Sequence, residues 1–405
     1  MTAESERAGR QPVHTVYGGA QLFAADTVSK LGAVAIRAMA LHAPDPAALG
    51  QAMGLSGHPA LETIWHRVRE KLTREPVEDF RIDFEDGYGN RPDAEEDGHA
   101  VAAARAIAAG RRAGTLPPFV GIRIKPLNPE LRARSVRTLE LVHTTLAQSG
   151  GLPGNWVITV PKITKLEEVE YVVGRFGALE RQLGLPAGSL RFEAMVETPQ
   201  IILDPTGRSL LPRLLDVAEG RLRGAHFGTY DYTAGIEITA AYQRMQHPAC
   251  EFAKHMMQVA FAGTGVWLSD GSTTVLPVGT DPAVIHAAWR FHFDDVRHSL
   301  AGGFYQGWDL HPAQLVSRYA ALYSFFLDGI EAAGSRLKNF VAKAAQATLV
   351  GDVFDDAATG QGLLNFFLRG LNSGAITEAE ALEMTGLKAE ELGSRSFVAI
   401  LKERA

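Results

Sequence analysis

The sequence predicts an α/β protein built on a (β/α)8 TIM barrel, with a helical extension at its C-terminal end. Three observations lead there. Short apolar runs alternate with long helix-patterned segments through most of the chain, which is the pattern of parallel βα units. There are eight such runs, the number that closes a barrel. Several are apolar almost without interruption, as strands covered on both faces must be. The competing doubly wound sheet carries a G-x-G-x-x-G turn after its first strand. Here that place holds Gly18-Gly19-Ala20, which lacks the spacing.

Residues 1–11 are polar and charged and read as a disordered lead-in to a barrel domain over 12–330. The strand candidates are Val13–Gly19, Asp79–Phe84, Phe119–Ile124, Trp156–Pro161, Arg191–Glu197, Gly224–Gly228, Gly265–Ser269 and Gly303–Leu310. Between them Ala94–Ala113 is rich in alanine, arginine and glutamate. Leu131–Gln148, Lys165–Leu183, Ala240–Phe261 and Pro282–Leu300 carry apolar residues at helical spacing. Asp281 followed by Pro282 is an N-cap with proline at the first helical position. The segment Ala24–Leu72, after the first strand, is unusually long, and no standard coenzyme A signature is recognised in Tyr232–Gln246. Residues 331–405 read as a helical extension with turns at Gly334, Gly351 and Gly374.

Composition narrows the function. With 405 residues, 46% hydrophobic and 21% charged, the chain is an ordinary soluble globular protein that needs no disulfide staples. The single cysteine, Cys250, excludes an internal disulfide and a thiolate zinc cluster. It also fits a reducing compartment. A net charge of −6 argues against a nucleic-acid partner. The N-terminus lacks the apolar stretch of a secretory signal, and no apolar run reaches membrane-spanning length. The expectation is a cytoplasmic protein with no membrane partner.

In such barrels function gathers at the C-terminal ends of the strands, and polar residues end the apolar strands here. Strand two closes on Asp83-Phe84-Glu85-Asp86-Gly87, strand three carries Arg123 and Lys125, and strand four ends at Pro161-Lys162. Strand five ends at Glu197-Thr198-Pro199, and strand six leads through Gly228 to Asp231. Strand seven ends at Asp270-Gly271 and strand eight at Asp309-Leu310-His311-Pro312. Glu197 and Asp231, on adjacent strand ends, are expected to converge on one cation. Hard oxygen ligands favour Mg²⁺, with Mn²⁺ the alternative. Arg123 would face a substrate carboxylate, where its planar fork makes two hydrogen bonds. Cation and arginine together would hold a 2-oxo acid, a small-molecule partner. The metal stabilises charge that builds on an enolate or alkoxide oxygen as a carbon–carbon bond forms or breaks. Lys162 and Asp270 complete the expected substrate contacts. Glu85 and Asp86 are either catalytic, orienting metal-bound water, or part of a structural ion network.

These strand ends resemble, from about Val77 to Gln314, the superfamily of the citrate lyase β subunit, the HpcH/HpaI aldolases, malyl-CoA lyases and malate synthases. Asp83-Phe84-Glu85-Asp86 looks like its acidic strand-two motif, closest to the malate synthase form. Gly121-Ile122-Arg123-Ile124 looks like its substrate-arginine strand, and Val160-Pro161-Lys162 like its V-P-K. Met195-Val196-Glu197-Thr198 resembles the I-E-T segment whose glutamate binds Mg²⁺. The segment from Phe227 to Tyr232 resembles the F-G-x-x-D-[YL] motif whose aspartate is the second ligand. Leu310-His311-Pro312-Ala313-Gln314 resembles its I-H-P-x-Q. Each motif alone is weak; six in family order carry the resemblance. It implies a Mg²⁺-dependent lyase, aldolase or Claisen-type synthase acting on glyoxylate, pyruvate or oxaloacetate, with a CoA thioester or an aldehyde as second fragment, in a homo-oligomer. Asp355-Asp356-Ala357-Ala358-Thr359 also resembles the D-A-A-T of malate synthases. That would make Asp356 the catalytic base; the alternative is a helix cap. Two further alternatives keep the barrel. One is a phosphoenolpyruvate-type phosphotransferase, which would need a phosphohistidine or nucleotide domain that the sequence lacks. The other is a non-catalytic regulatory barrel, which would be expected to have lost a metal carboxylate or the arginine.

Overall fold

In the computed structural model, which describes residues 10–343, 348–350, 353–355, 357–394 and 400, eight parallel strands form a nearly closed barrel. They are β1 (His14–Gly19), β2 (Asp79–Asp83), β3 (Phe119–Arg123), β4 (Trp156–Val160), β5 (Phe192–Val196), β6 (Leu222–Phe227), β7 (Trp267–Ser269) and β8 (Gly307–Asp309). They pair in the order β7-β6-β5-β4-β3-β2-β1-β8. The remaining seam, between β7 and β8, is held by the backbone bonds Asp270 N–H to Gln306 O (2.8 Å) and Trp308 N–H to Gly271 O (3.0 Å). Every expected strand is present. The last two are shorter than the sequence suggests because Gly265 (φ 81°) and Gly303 (φ 84°) take left-handed turns before the strands begin.

Helices alternate with the strands as expected, with one correction. The helical pattern of Ala240–Phe261 becomes a short 3-10 turn, Ala240–Tyr242, and a separate helix, Pro248–Phe261. Proline begins a helix well but cannot continue one, and His247 caps the new start. The long segment after β1 folds into three helices, Thr27–His42, Pro46–Met53 and Leu61–Arg74.

The chain leaves the barrel along one helix, Gln314–Ala342, which runs straight through Gly334. The turn expected there is absent. Glycine serves instead for close packing, since a Cβ would stand 2.7 Å from Met384 Cβ. Gly374 does turn the chain (φ 74°), and Gly351 lies outside the described residues. The C-terminal helices pack near the N-terminal ends of the barrel strands, where Arg67 binds Ala375 O and Glu380. No helix among the described residues is long and apolar enough to cross a membrane.

Strand alternation decides what the barrel holds inside. On β2, Asp79, Arg81 and Asp83 share one parity and point inward. Arg81 joins Asp79 and Glu193, and Glu193 meets His226 at 3.1 Å. A fully buried, mutually paired charge layer therefore fills the barrel beneath its mouth.

Candidate active site

A cavity of about 370 Å³ opens at the C-terminal mouth. Its walls include Asp83, Asp86, Arg123, Glu197, Asp231 and, on the apolar side, Tyr17, Phe227 and Trp308. Each group arrives by the same local logic. An apolar strand buries its backbone in the sheet and delivers the first polar residue after it to the mouth.

Arg123, the last residue of β3, is 5% exposed. Its Nε and Nη2 donate to the two oxygens of Asp83 at 2.7 and 2.5 Å. The Asp83 carboxylate also accepts the Glu85 and Gly87 backbone N–H groups. One edge of the planar guanidinium expected to grip a substrate is therefore taken by Asp83, which leaves the Nη1 N–H groups and the second N–H of Nη2. Nη1 stands 3.1 Å from Glu85 Oε2 and 3.9 Å from Asp86. The guanidinium also lies 4.8 Å over the Tyr17 ring. Desolvation opposes its charge, but Asp83 and Glu85 hold it firmly protonated.

Lys162 follows β4 with φ 50°, one of three left-handed non-glycine residues among those described. Its backbone N–H donates to Glu197 Oε1 at 2.7 Å. Its ammonium reaches Glu85, Asp86 at 3.3 Å and Asp231 at 3.2 Å. Burial raises the Glu85 carboxyl. For the more open Asp86, Lys162 and Arg123 outweigh burial and lower it.

Glu197 and Asp231 both face the cavity. Glu197 is 2% exposed; burial, and then the neighbouring Asp231 charge, push its carboxyl up to about 8. Gly228 makes room for it: a Cβ there would stand 2.6 Å from Glu197 Oε2. Among the described residues, no three His, Cys, Asp or Glu side chains converge as a metal cluster. Two carboxylates with open positions beside them are nevertheless what Mg²⁺ commonly takes, since it keeps waters and substrate oxygens in its shell. The charge count fits a cation as well. Asp83, Glu85, Asp86, Glu197 and Asp231 crowd the mouth against only Arg123 and Lys162.

Asp270 is placed elsewhere. It is fully buried and turned away from the cavity, accepting from Lys254 Nζ (3.0 Å), Ser299 Oγ (2.7 Å) and Gly271 N–H (2.7 Å). It ties β7 to the surrounding helices and is not among the residues that line the cavity, in contrast to the substrate contact expected of it. Asp356 lies outside the described residues. Sequence reasoning missed Tyr17 and Trp308, whose rings stand 4.7 Å apart in the cavity wall. It also missed Asp83 as the partner of Arg123. The inward parity that Asp83 shares with Asp79 and Arg81 was the available signal.

The family model described as a domain of unknown function, DUF6986, matches residues 4–400. The chain belongs to that family. No curated protein matches this DUF6986 chain. Among solved structures it is similar to a citrate lyase from Burkholderia xenovorans LB400, at 21% identity and TM-score 0.61, over 94% of this chain and 98% of that one. It is also similar to the Haloferax volcanii malate synthase in its magnesium/glyoxylate complex, at 15% identity and TM-score 0.51, over 97% of both chains. At these identities the likeness is one of fold.

Proposed function

We propose that this DUF6986 chain is a Mg²⁺-dependent enzyme that makes or breaks a carbon–carbon bond beside a 2-oxo acid, in the superfamily of citrate lyase β subunits and malate synthases. The observation that carries the reading is the excess of carboxylate at the mouth, with Glu197 forced up to about 8 beside Asp231. A cation held between the buried Glu197 and the partly exposed Asp231 would offset both the desolvation of Glu197 and the repulsion between the two carboxylates. Solved proteins of similar fold are a citrate lyase and a malate synthase holding magnesium and glyoxylate, which supports a 2-oxo acid as the substrate proposed here.

Glu197 and Asp231 would hold the cation, which supplies stabilisation of negative charge on an enolate or alkoxide oxygen. Arg123 would offer the substrate carboxylate N–H groups that Asp83 leaves, on Nη1 and Nη2, while Asp83 fixes the plane of the guanidinium. Glu85 would hold Lys162 and Arg123 apart and in place. Tyr17, Phe227 and Trp308 would shield the reacting carbon from water. The second fragment, a CoA thioester or an aldehyde, would enter across the open mouth.

Asp356 is the proposed base if the reaction is a Claisen condensation, acting at the mouth of its own or of a neighbouring copy of the chain, and a homo-oligomer is part of the proposal.

The test is calorimetric titration of glyoxylate, pyruvate and oxaloacetate into the protein with and without Mg²⁺. One of them should bind only with Mg²⁺, and Glu197→Gln should abolish that binding while leaving the thermal transition intact. Equal binding without the metal would end the proposal.

A further inference from the structure

Among the described residues, Lys162 hydrogen-bonds one of the carboxylates assigned to the cation and pairs with the other. Its left-handed backbone (φ 50°) is a conformation that residues with a Cβ adopt only where the surroundings enforce it. Here that conformation has two consequences. The backbone N–H is aimed at Glu197 Oε1, 2.7 Å away. The side chain is thrown across the mouth, so that its ammonium sits 3.2 Å from Asp231 Oδ2. The same ammonium touches Glu85 and lies 3.3 Å from Asp86 Oδ2. It is 29% exposed and Asp231 is 42% exposed, so both side chains have room to part.

We propose that Lys162 is a built-in counter-ion for the cation site: its ammonium neutralises Asp231 while the metal is away, surrenders that carboxylate when the metal arrives, and withdraws to Glu85 and Asp86. This rests on the assignment of Glu197 and Asp231 to a metal. An ammonium and a divalent cation sharing Asp231 would repel each other across a few ångströms of a poorly screened mouth. Metal binding therefore has to displace the ammonium, and Glu85 and Asp86 are already in contact to receive it. Lys162 thus lowers metal affinity and keeps the empty site folded. In this role it is a positioning residue.

The experiment is Mn²⁺ titration without substrate, with free Mn²⁺ read by electron paramagnetic resonance, on the full chain and on Lys162→Met, Lys162→Gly and Lys162→Arg. The methionine variant keeps the length and loses the charge. The glycine variant loses the charge and accepts the left-handed backbone without strain, so it covers the case in which methionine fails to fold. Both should bind Mn²⁺ about ten-fold tighter or more than the unaltered protein, and both should melt at lower temperature without metal. Lys162→Arg should bind no tighter than the unaltered protein. If Lys162 instead serves only the substrate, Mn²⁺ affinity will be unchanged in Lys162→Met and Lys162→Gly, which overturns the counter-ion role alone. Failure of the unaltered protein and both neutral variants to take up millimolar Mn²⁺ overturns the metal assignment and this proposal with it.

Discussion

Gly228→Ala tests how tightly the mouth is built around Glu197. Gly228 has φ −103°, so alanine meets no backbone penalty and its effect is purely one of space. The added methyl would lie 2.4 Å from Glu197 Cβ and 2.6 Å from Oε2, about 1 Å inside ordinary carbon contact. Glu197 cannot step aside freely, because it is buried on all sides but the cavity and Lys162 N–H pins its other oxygen at 2.7 Å. Overpacking of this kind costs about 1–3 kcal/mol. The larger effect falls on function, since moving a ligating or reacting group by about 1 Å costs roughly 10²-fold. Mn²⁺ affinity should therefore drop by about 10²-fold, while the melting transition shifts modestly and stays cooperative. Both are read on one sample, by paramagnetic resonance and calorimetry. Unchanged Mn²⁺ affinity with a shifted melting point would show that Glu197 is a packing residue and that the cation site lies elsewhere.

Arg123→Lys keeps the charge but breaks the two-pronged bond to Asp83. It should lower stability by about 1–3 kcal/mol and lower kcat/KM for the 2-oxo acid by roughly 10², checked by denaturant titration and steady-state kinetics. An unchanged stability would contradict the fork to Asp83. Asp356→Asn should stop proton exchange at the methyl of the acyl substrate, followed by deuterium incorporation, without altering Mn²⁺ affinity; persistent exchange removes Asp356 as base. His143 is pushed down to about 4 by burial, while its Nδ1–H donates to Leu139 O and its Nε2 accepts the Trp156 indole N–H. Its folded pKa lies below its unfolded value, so the unfolded chain binds the extra proton. Stability from this residue is full above pH 6.5 and is lost as pH falls from about 6.5 to about 4, by up to about 3 kcal/mol. Denaturation of His143→Gln over the same range should show a flatter profile, and an identical profile would place the proton elsewhere.

The sequence by itself determined the barrel. Eight apolar runs spaced by helical patterns leave few ways to bury both faces of each strand, and the structure has all eight strands. It also brought Glu197, Asp231, Arg123, Lys162, Glu85 and Asp86 to one end, because a polar residue that follows a buried strand must emerge at the mouth. Local backbone chemistry was legible where proline and glycine act on their own residue, as at Pro282. It was misread where a neighbour decides, as at Gly334, which packs on Met384 instead of turning the chain.

Only the tertiary structure decided how the polar groups pair, because pairing across strands depends on register and distance that no single strand encodes. Arg123 was expected to face a substrate carboxylate, or to pair with Glu85 or Asp86 at the mouth, and its fork is bound to Asp83, forty residues away in the chain. Asp270 was read as facing the mouth, but Lys254 and Ser299 draw it outward to the helices. The left-handed turn at Lys162 comes directly after Pro161, which does not by itself call for it; Glu197 and Asp231, beyond the next strands, receive its N–H and its ammonium.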